Sequence, residues 1–261
     1  QQKIAPGLRE FSHFGAAVAI SGEAMVVGVP DFTTVGGTSR GGYAAIYLHT
    51  NLGWFKQGPD LVAATDVLGN KFGAAVALDG NTAVIGAPFD KVGLNDGQGA
   101  AYVFTRGTAA WSLQKILVAA DGATGDDFGR SVAVSGDTAA VGAPLAKISL
   151  QAGQGAAYYF TRSGTTWVTD QKLFNSAGSG GYQFGSAVGL SDTLLAVGEQ
   201  YGDGSAGVVH VYTRLGVNME FQQRLNGRPQ VDNVFFGNAV AVDVTRHVLA
   251  FDAVDGGRHL L

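Results

Sequence analysis

Five spaced copies of one unit, paired apolar runs joined at a tight turn in the copies, and no sustained helical period predict an all-β chain. The architecture they predict is a five-bladed β-propeller of four-stranded antiparallel blades. The unit is marked by a Phe-Gly pair at Phe14-Gly15, Phe72-Gly73, Phe128-Gly129, Phe184-Gly185 and Phe236-Gly237, at intervals of 58, 56, 56 and 52 residues. Fourteen residues after each Phe stands a second glycine, Gly28, Gly86, Gly142 or Gly198, with Ala250 in the fifth place.

Each landmark reads as a strand. In the second copy, AAVAL (74–78) and TAVIGA (82–87) flank Asp79-Gly80, a pair that suits a two-residue hairpin. The third strand is GAAYVFTR (99–106), matched by GAAYYFTR (155–162) and GVVHVYTR (207–214), all rich in aromatic and β-branched residues. The fourth is SLQKIL (112–117), matched by DQKLF (170–174) and QQRL (222–225), after turns at GTAAW and SGTTW. Such a meander cannot bury both faces alone, and radial stacking is the solution. Glycine and alanine beside Phe-Gly then let inner backbones approach closely, while the Phe wedges between blades.

The last copy runs FGNAVAVD, VLAFDAV and GGRHLL and stops before a fourth strand, whereas the chain opens with QQKI. Gln1–Ile4 is therefore expected to complete the blade of residues 236–261 and close the ring, leaving no free edge inside it. The whole of 1–261 reads as one domain, with repeats at about 14–61, 72–117, 128–174, 184–225 and 236–261 plus 1–4.

Composition narrows the partners. The 261 residues carry 40 glycines, are 46% hydrophobic and only 15% charged, and have a net charge of −4. No basic face is available for a phosphate backbone, which argues against nucleic acid. No apolar run approaches the ~20 residues of a membrane span. The absence of cysteine excludes disulfides, thiolate metal sites and a cysteine nucleophile. The opening QQKIAPG suits either a processed mature chain or a trimmed one.

The pattern F-G-x-x-V-A-x-x-G-x-x-A-x-V-G-A-P, then G-x-A-Y-V-F-T-R and W-x-x-Q-K-L, resembles the FG-GAP repeat of integrin α-subunit propellers and of many bacterial secreted proteins. The likeness is strongest over residues 72–174, and AADGATGDDFG (119–129) is similar to the blade junctions of the bacterial variety. It implies a secreted or surface-attached protein with a role in adhesion or ligand binding; some related propellers bind sugars. Integrin blades often carry a D-x-D-x-D-G calcium loop between the first two strands. Here that turn is ISGEA, LDGNT, VSGDT or LSDTL, too poor in carboxylates for an ion that takes about six to eight oxygens.

In a meander, the 2–3 loops and 4–1 connections share one face. The 2–3 loops are long and varied here, at 31–41, 89–98, 145–154 and 199–206, so ligand-binding residues are expected among Phe32, Arg40, Phe89, Asp90, Lys91, Lys147, Tyr201 and Asp203. Exposed aromatics beside Asp and Asn suit sugar or protein recognition. Asp121, Asp126 and Asp127 form the most acidic candidate, which could converge on a cation such as calcium, against the structural reading of a turn with solvated carboxylates. No cofactor is otherwise expected. His210 and His259 fall where Tyr102 and Tyr158 stand, and read as strand residues. Arg106, Arg162 and Arg214, like Trp54, Trp111 and Trp167, recur at fixed blade positions and read as packing or a surface ladder.

The leading expectation is a monomeric, extracellular, non-catalytic module that binds a glycan or cell-surface protein. The alternative is a polysaccharide hydrolase or lyase using Asp31, Asp90 and Asp252, which follow the second strands.

Overall fold

A computed structural model describes residues 2–4, 13–33, 39–64, 68–108, 110–227, 235–242, 249–251, 253–255 and 258–260. Four four-stranded antiparallel sheets follow one another along the chain. Blade 1 is Ala17–Ser21, Ala24–Val29, Tyr43–Thr50 and Gly53–Lys56, with Leu61–Val62 continuing the outer edge beside Tyr43 and Ala44. Blade 2 is Ala75–Asp79, Thr82–Ala87, Ala100–Arg106 and Trp111–Leu117. Blade 3 is Ser131–Ser135, Thr138–Ala143, Ala156–Ser163 and Thr166–Leu173, and blade 4 is Phe184–Leu190, Leu194–Glu199, Val208–Leu215 and Asn218–Asn226. Of the fifth unit, two hairpins are described, Val240–Val242 with Leu249–Phe251 and Ala253–Asp255 with Arg258–Leu260.

The second strand of each of blades 1 to 3 is buried throughout, whereas the outer strands are largely wetted. The apolar cores lie between blades. One joins Val84, Ala101 and Val103 of blade 2 to Val141, Tyr158 and Phe160 of blade 3, with Phe128 in its middle. Phe128 is fully buried, and its ring meets Tyr158 and Phe160 edge-on at 5.3 and 6.2 Å. Phe72 and Phe184 are equally buried at the preceding and following junctions. Each such burial contributes roughly 1.5–3 kcal/mol. The wedge predicted for the Phe is what the structure shows at these three junctions.

The two recurring glycines have one cause. The Gly129 N–H donates to the Gly142 carbonyl of its own blade at 2.9 Å, while the Gly129 carbonyl points back at Gly86 of the blade before. A Cβ on Gly86 would lie 2.0 Å from that oxygen, and the same collision recurs for Gly142 against Gly185 and Gly198 against Gly237. The Phe-Gly of one blade thus keys into the second glycine of its neighbour.

The fifth unit departs from the expected spacing. In blades 1 to 4, the second glycine pairs with the residue three after the Phe, as Gly86 does with Ala75. Ala250 instead pairs with Ala241, so it does not occupy the second-glycine place.

A glutamine of one outer strand reaches over the next. Gln57 Oε1 accepts from Trp111 Nε1 at 3.2 Å, and Gln114 Oε1 from Trp167 Nε1 at 2.8 Å. Gln171 both accepts from the Met219 N–H at 2.8 Å and donates to its carbonyl at 3.1 Å. Arg162 lies over the Trp167 ring at 5.0 Å and donates to Asp137, so this recurring Trp–Arg pair is packing, as expected. Gln2 makes the same two-way contact with Trp54, at 2.7 and 3.0 Å, and Ile4 packs on the core of blade 1. Among the described residues, 2–4 join no strand ladder of the fifth unit.

Candidate functional site

Every blade begins with the same tight turn. The residue before each Phe adopts the left-handed conformation although none is glycine: His13, Lys71, Asp127, Gln183 and Phe235 have φ between 42° and 58°. Its carbonyl accepts from the N–H of the residue after the Phe-Gly, Ala16, Ala74, Arg130, Ser186 or Asn238, at 3.0–3.1 Å. Left-handed backbone costs a side-chain-bearing residue roughly 1–2 kcal/mol. The invariant Phe-Gly therefore carries two varying side chains, one on each flank, to the inner end of every blade.

Four of these turns meet around a cavity of about 320 Å³. Its polar walls are Arg130 of blade 3, Gln183, Ser186 and Gln200 of blade 4, and Asn238 of the fifth unit. Ala74 of blade 2 and Pro144 complete it. The residues belong to the starts of inner strands and the ends of second strands, which places the cavity at the inner rim of the face that bears the 2–3 loops. Ser186 Oγ donates to the Gly198 carbonyl at 3.2 Å, which leaves its lone pairs for a guest. Arg130 is exposed and has no ion-pair partner within 4 Å among the described residues.

Asp127 borders Arg130. Burial pushes its carboxyl up to about 6, with the like charge of Asp126 adding to this and Arg130 opposing it. Asp126, raised by burial, accepts from the Ala123 N–H at 2.8 Å. Asp121 is pulled the other way: burial opposes, but Lys172 at 2.5 Å and the Tyr158 hydroxyl at 2.9 Å hold it below the ordinary carboxylate range. Two of the three aspartates expected to converge on calcium thus have protein partners. Among the described residues, no group of three or more His, Asp or Glu side chains is placed to hold a metal ion.

The other expected residues are spread over the face. Asp31 accepts from Lys71 and pairs with His13 at 2.8 Å, and these partners overcome its burial and lower its pKa. Asp90 is buried beneath Tyr102, whose hydroxyl donates to it, and burial raises its pKa. Asp252 lies outside the described residues. Phe32 and Arg40 are opposite each other in an antiparallel pair of two-residue strands. Phe89 is 44% exposed, Lys147 is exposed, and Lys91 pairs with Asp96 at 2.8 Å. Tyr201 meets Phe235 edge-on at 5.4 Å, and Asp203 lies 3.6 Å from Arg224.

Three acids that look available in the sequence are supports for third-strand residues. Tyr102, Tyr158 and His210 occupy one register position, opposite Ile85, Val141 and Val197. Tyr102 is held by Asp90, Tyr158 by Asp121 and His210 by Glu199, the last at 2.7 Å. His210 is thus the strand residue expected.

Apart from Gln200, which lies in the 199–206 loop, the polar cavity-lining residues escaped the sequence reading because they sit beside the Phe-Gly marker rather than in the long loops. The signal was present: the flanks read His, Lys, Asp, Gln, Phe and Ala, Ala, Arg, Ser, Asn around an unchanging centre.

A sequence model of the FG-GAP repeat matches residues 57–104, 111–160 and 167–212, more than half of the chain. The chain belongs to the FG-GAP repeat family. Each matched segment of this FG-GAP protein runs from the outer strand or turn of one blade into the third strand of the next, spanning a Phe-Gly junction. FG-GAP repeats are typical of extracellular proteins and frequent in adhesion and recognition proteins. No curated protein matches the chain. Among the described residues, no helix is long and apolar enough to cross a membrane.

Proposed function

We propose that this FG-GAP protein is a non-catalytic extracellular recognition module that takes a glycan or protein ligand on the face bearing the 2–3 loops, centred on the axial cavity. The observation that carries the reading is the cavity wall: a guanidinium with no ion pair among the described residues, three amides and a hydroxyl, drawn from blades 3 and 4 and the fifth unit. These groups bind by hydrogen bonding, and Arg and amide side chains are too weakly acidic or basic to move protons near neutral pH. Rigid strands position them, which keeps the ordering cost of binding low.

The same proposal takes the blades as a ring of five, with residues 1–4 as the outer strand of the last blade. Gln2 supports this, since it grips Trp54 as Gln171 grips Met219 of the blade that follows it.

The test is an array of glycans and extracellular proteins probed with the chain and with an Arg130→Gln, Gln200→Ala double variant. Ligands are expected whose signal falls at least tenfold with the variant. Empty arrays, or hits indifferent to it, would overturn the reading.

A further inference from the structure

Resting on that reading, we infer that the axial cavity is a subsite for a uronic acid residue of an acidic polysaccharide, its carboxylate held by Arg130 and its hydroxyls by Gln183, Ser186, Gln200 and Asn238. The wall is almost wholly polar, so it offers little to an apolar side chain. At about 320 Å³ the space is near the lower bound of small-molecule sites, in keeping with a sugar unit rather than a folded epitope. Amide and hydroxyl groups both donate and accept, which is what vicinal sugar hydroxyls require. Arg130 is the one cation among the described wall residues, with a planar fork that matches a carboxylate bidentately.

Arg130 also stands on a fixed backbone. Its backbone N–H is bound to the Asp127 carbonyl at 3.1 Å, in the strained turn common to all blades, and its side chain has no ion pair among the described residues. Asp127, an opposing charge that Arg130 feels, is itself poorly solvated as an anion. An incoming carboxylate therefore displaces water from Arg130 rather than a salt bridge.

Calorimetric titration of the chain tests the inference with trimers of galacturonate, glucuronate, mannuronate and guluronate, their methyl esters, and triglutamate. At least one acidic trimer is expected to bind, its ester at least tenfold more weakly, and triglutamate no better than the ester. Arg130→Gln should weaken the acidic trimer at least tenfold with unchanged thermal unfolding, and Arg130→Lys should fall between. Equal binding of acid and ester, indifference to Arg130→Gln, equal binding of triglutamate, or no bound trimer would each overturn it. If the arrays return only neutral glycans, the uronate subsite falls while the recognition reading stands. Empty arrays as well would remove both.

Discussion

The carbonyl oxygen of Gly129 lies 2.0 Å from the point that a Cβ on Gly86 would occupy. That oxygen belongs to the neighbouring blade's backbone, which cannot retreat without loosening the Phe128 wedge beside it. Gly86→Ala and Gly142→Ala should therefore each cost about 3 kcal/mol, at the upper end of overpacking, and lower Tm on the order of 10 °C. Gly107→Ala is the control, because its new carbon would meet only the Ala110 carbonyl at 3.4 Å. Thermal unfolding of the three variants decides it; equal midpoints would contradict the key-and-glycine account.

The glutamine ladder makes a graded prediction. Gln171 is half-buried and Gln2 exposed, yet both form the same pair of bonds to a neighbouring outer strand. Net hydrogen bonds contribute roughly 0.5–1.5 kcal/mol each, least where water competes. Gln171→Ala should cost about 2 kcal/mol and Gln2→Ala less than about 1 kcal/mol in urea unfolding. Hydrogen exchange at Trp54 N–H should quicken in Gln2→Ala and stay unchanged in Gln171→Ala. A protected Trp54 amide in the Gln2 variant would show that the N-terminal segment does not grip blade 1.

The blades were legible because their physics is local and repeated. A hairpin at Asp79-Gly80, aromatic third strands and a buried Phe128 each follow from residue type, and repetition confirms them. The acids were not legible in the same way. Asp90 and Asp121 look alike on paper, but one is buried under Tyr102 and the other is pinned by Lys172, contacts set by third and outer strands far along the chain. The cavity was missed for a related reason. Arg130 and Gln183 are apart in sequence, and only the identical turn in successive blades brings their ends to one rim.

The buried pair of Glu199 and His210 should be the most sensitive polar contact of blade 4. Glu199 is fully buried and accepts from Asn175 Nδ2 at 3.1 Å on both oxygens, besides facing His210 Nε2 at 2.7 Å. Glu199→Ala orphans the buried His210 and the half-buried Asn175, at a cost of about 3 kcal/mol. Glu199→Gln keeps the shape and one acceptor and should cost less than half as much. Chemical unfolding of the two variants checks the order; a Gln variant as unstable as the Ala variant would mean that charge, not hydrogen bonding, holds the pair.

Asp127 links stability to pH in a direction opposite to that of a salt-bridged carboxylate. Its folded pKa of about 6 exceeds the ordinary 3.8, so the folded chain holds the proton more tightly than the unfolded one. Its contribution is complete below about pH 4 and is lost as the pH rises through about 6. Asp127→Asn removes the buried charge and keeps a residue type that tolerates the left-handed backbone at φ 57°. The group is only half-buried, so solvent screening limits the gain to about 1 kcal/mol at neutral pH, or a few degrees in Tm, with none near pH 4. Melting curves of the two proteins should coincide near pH 4, draw apart as the pH rises toward about 6, and keep that gap above it. A constant difference would place the strain in the turn itself and clear the carboxylate of any part in it.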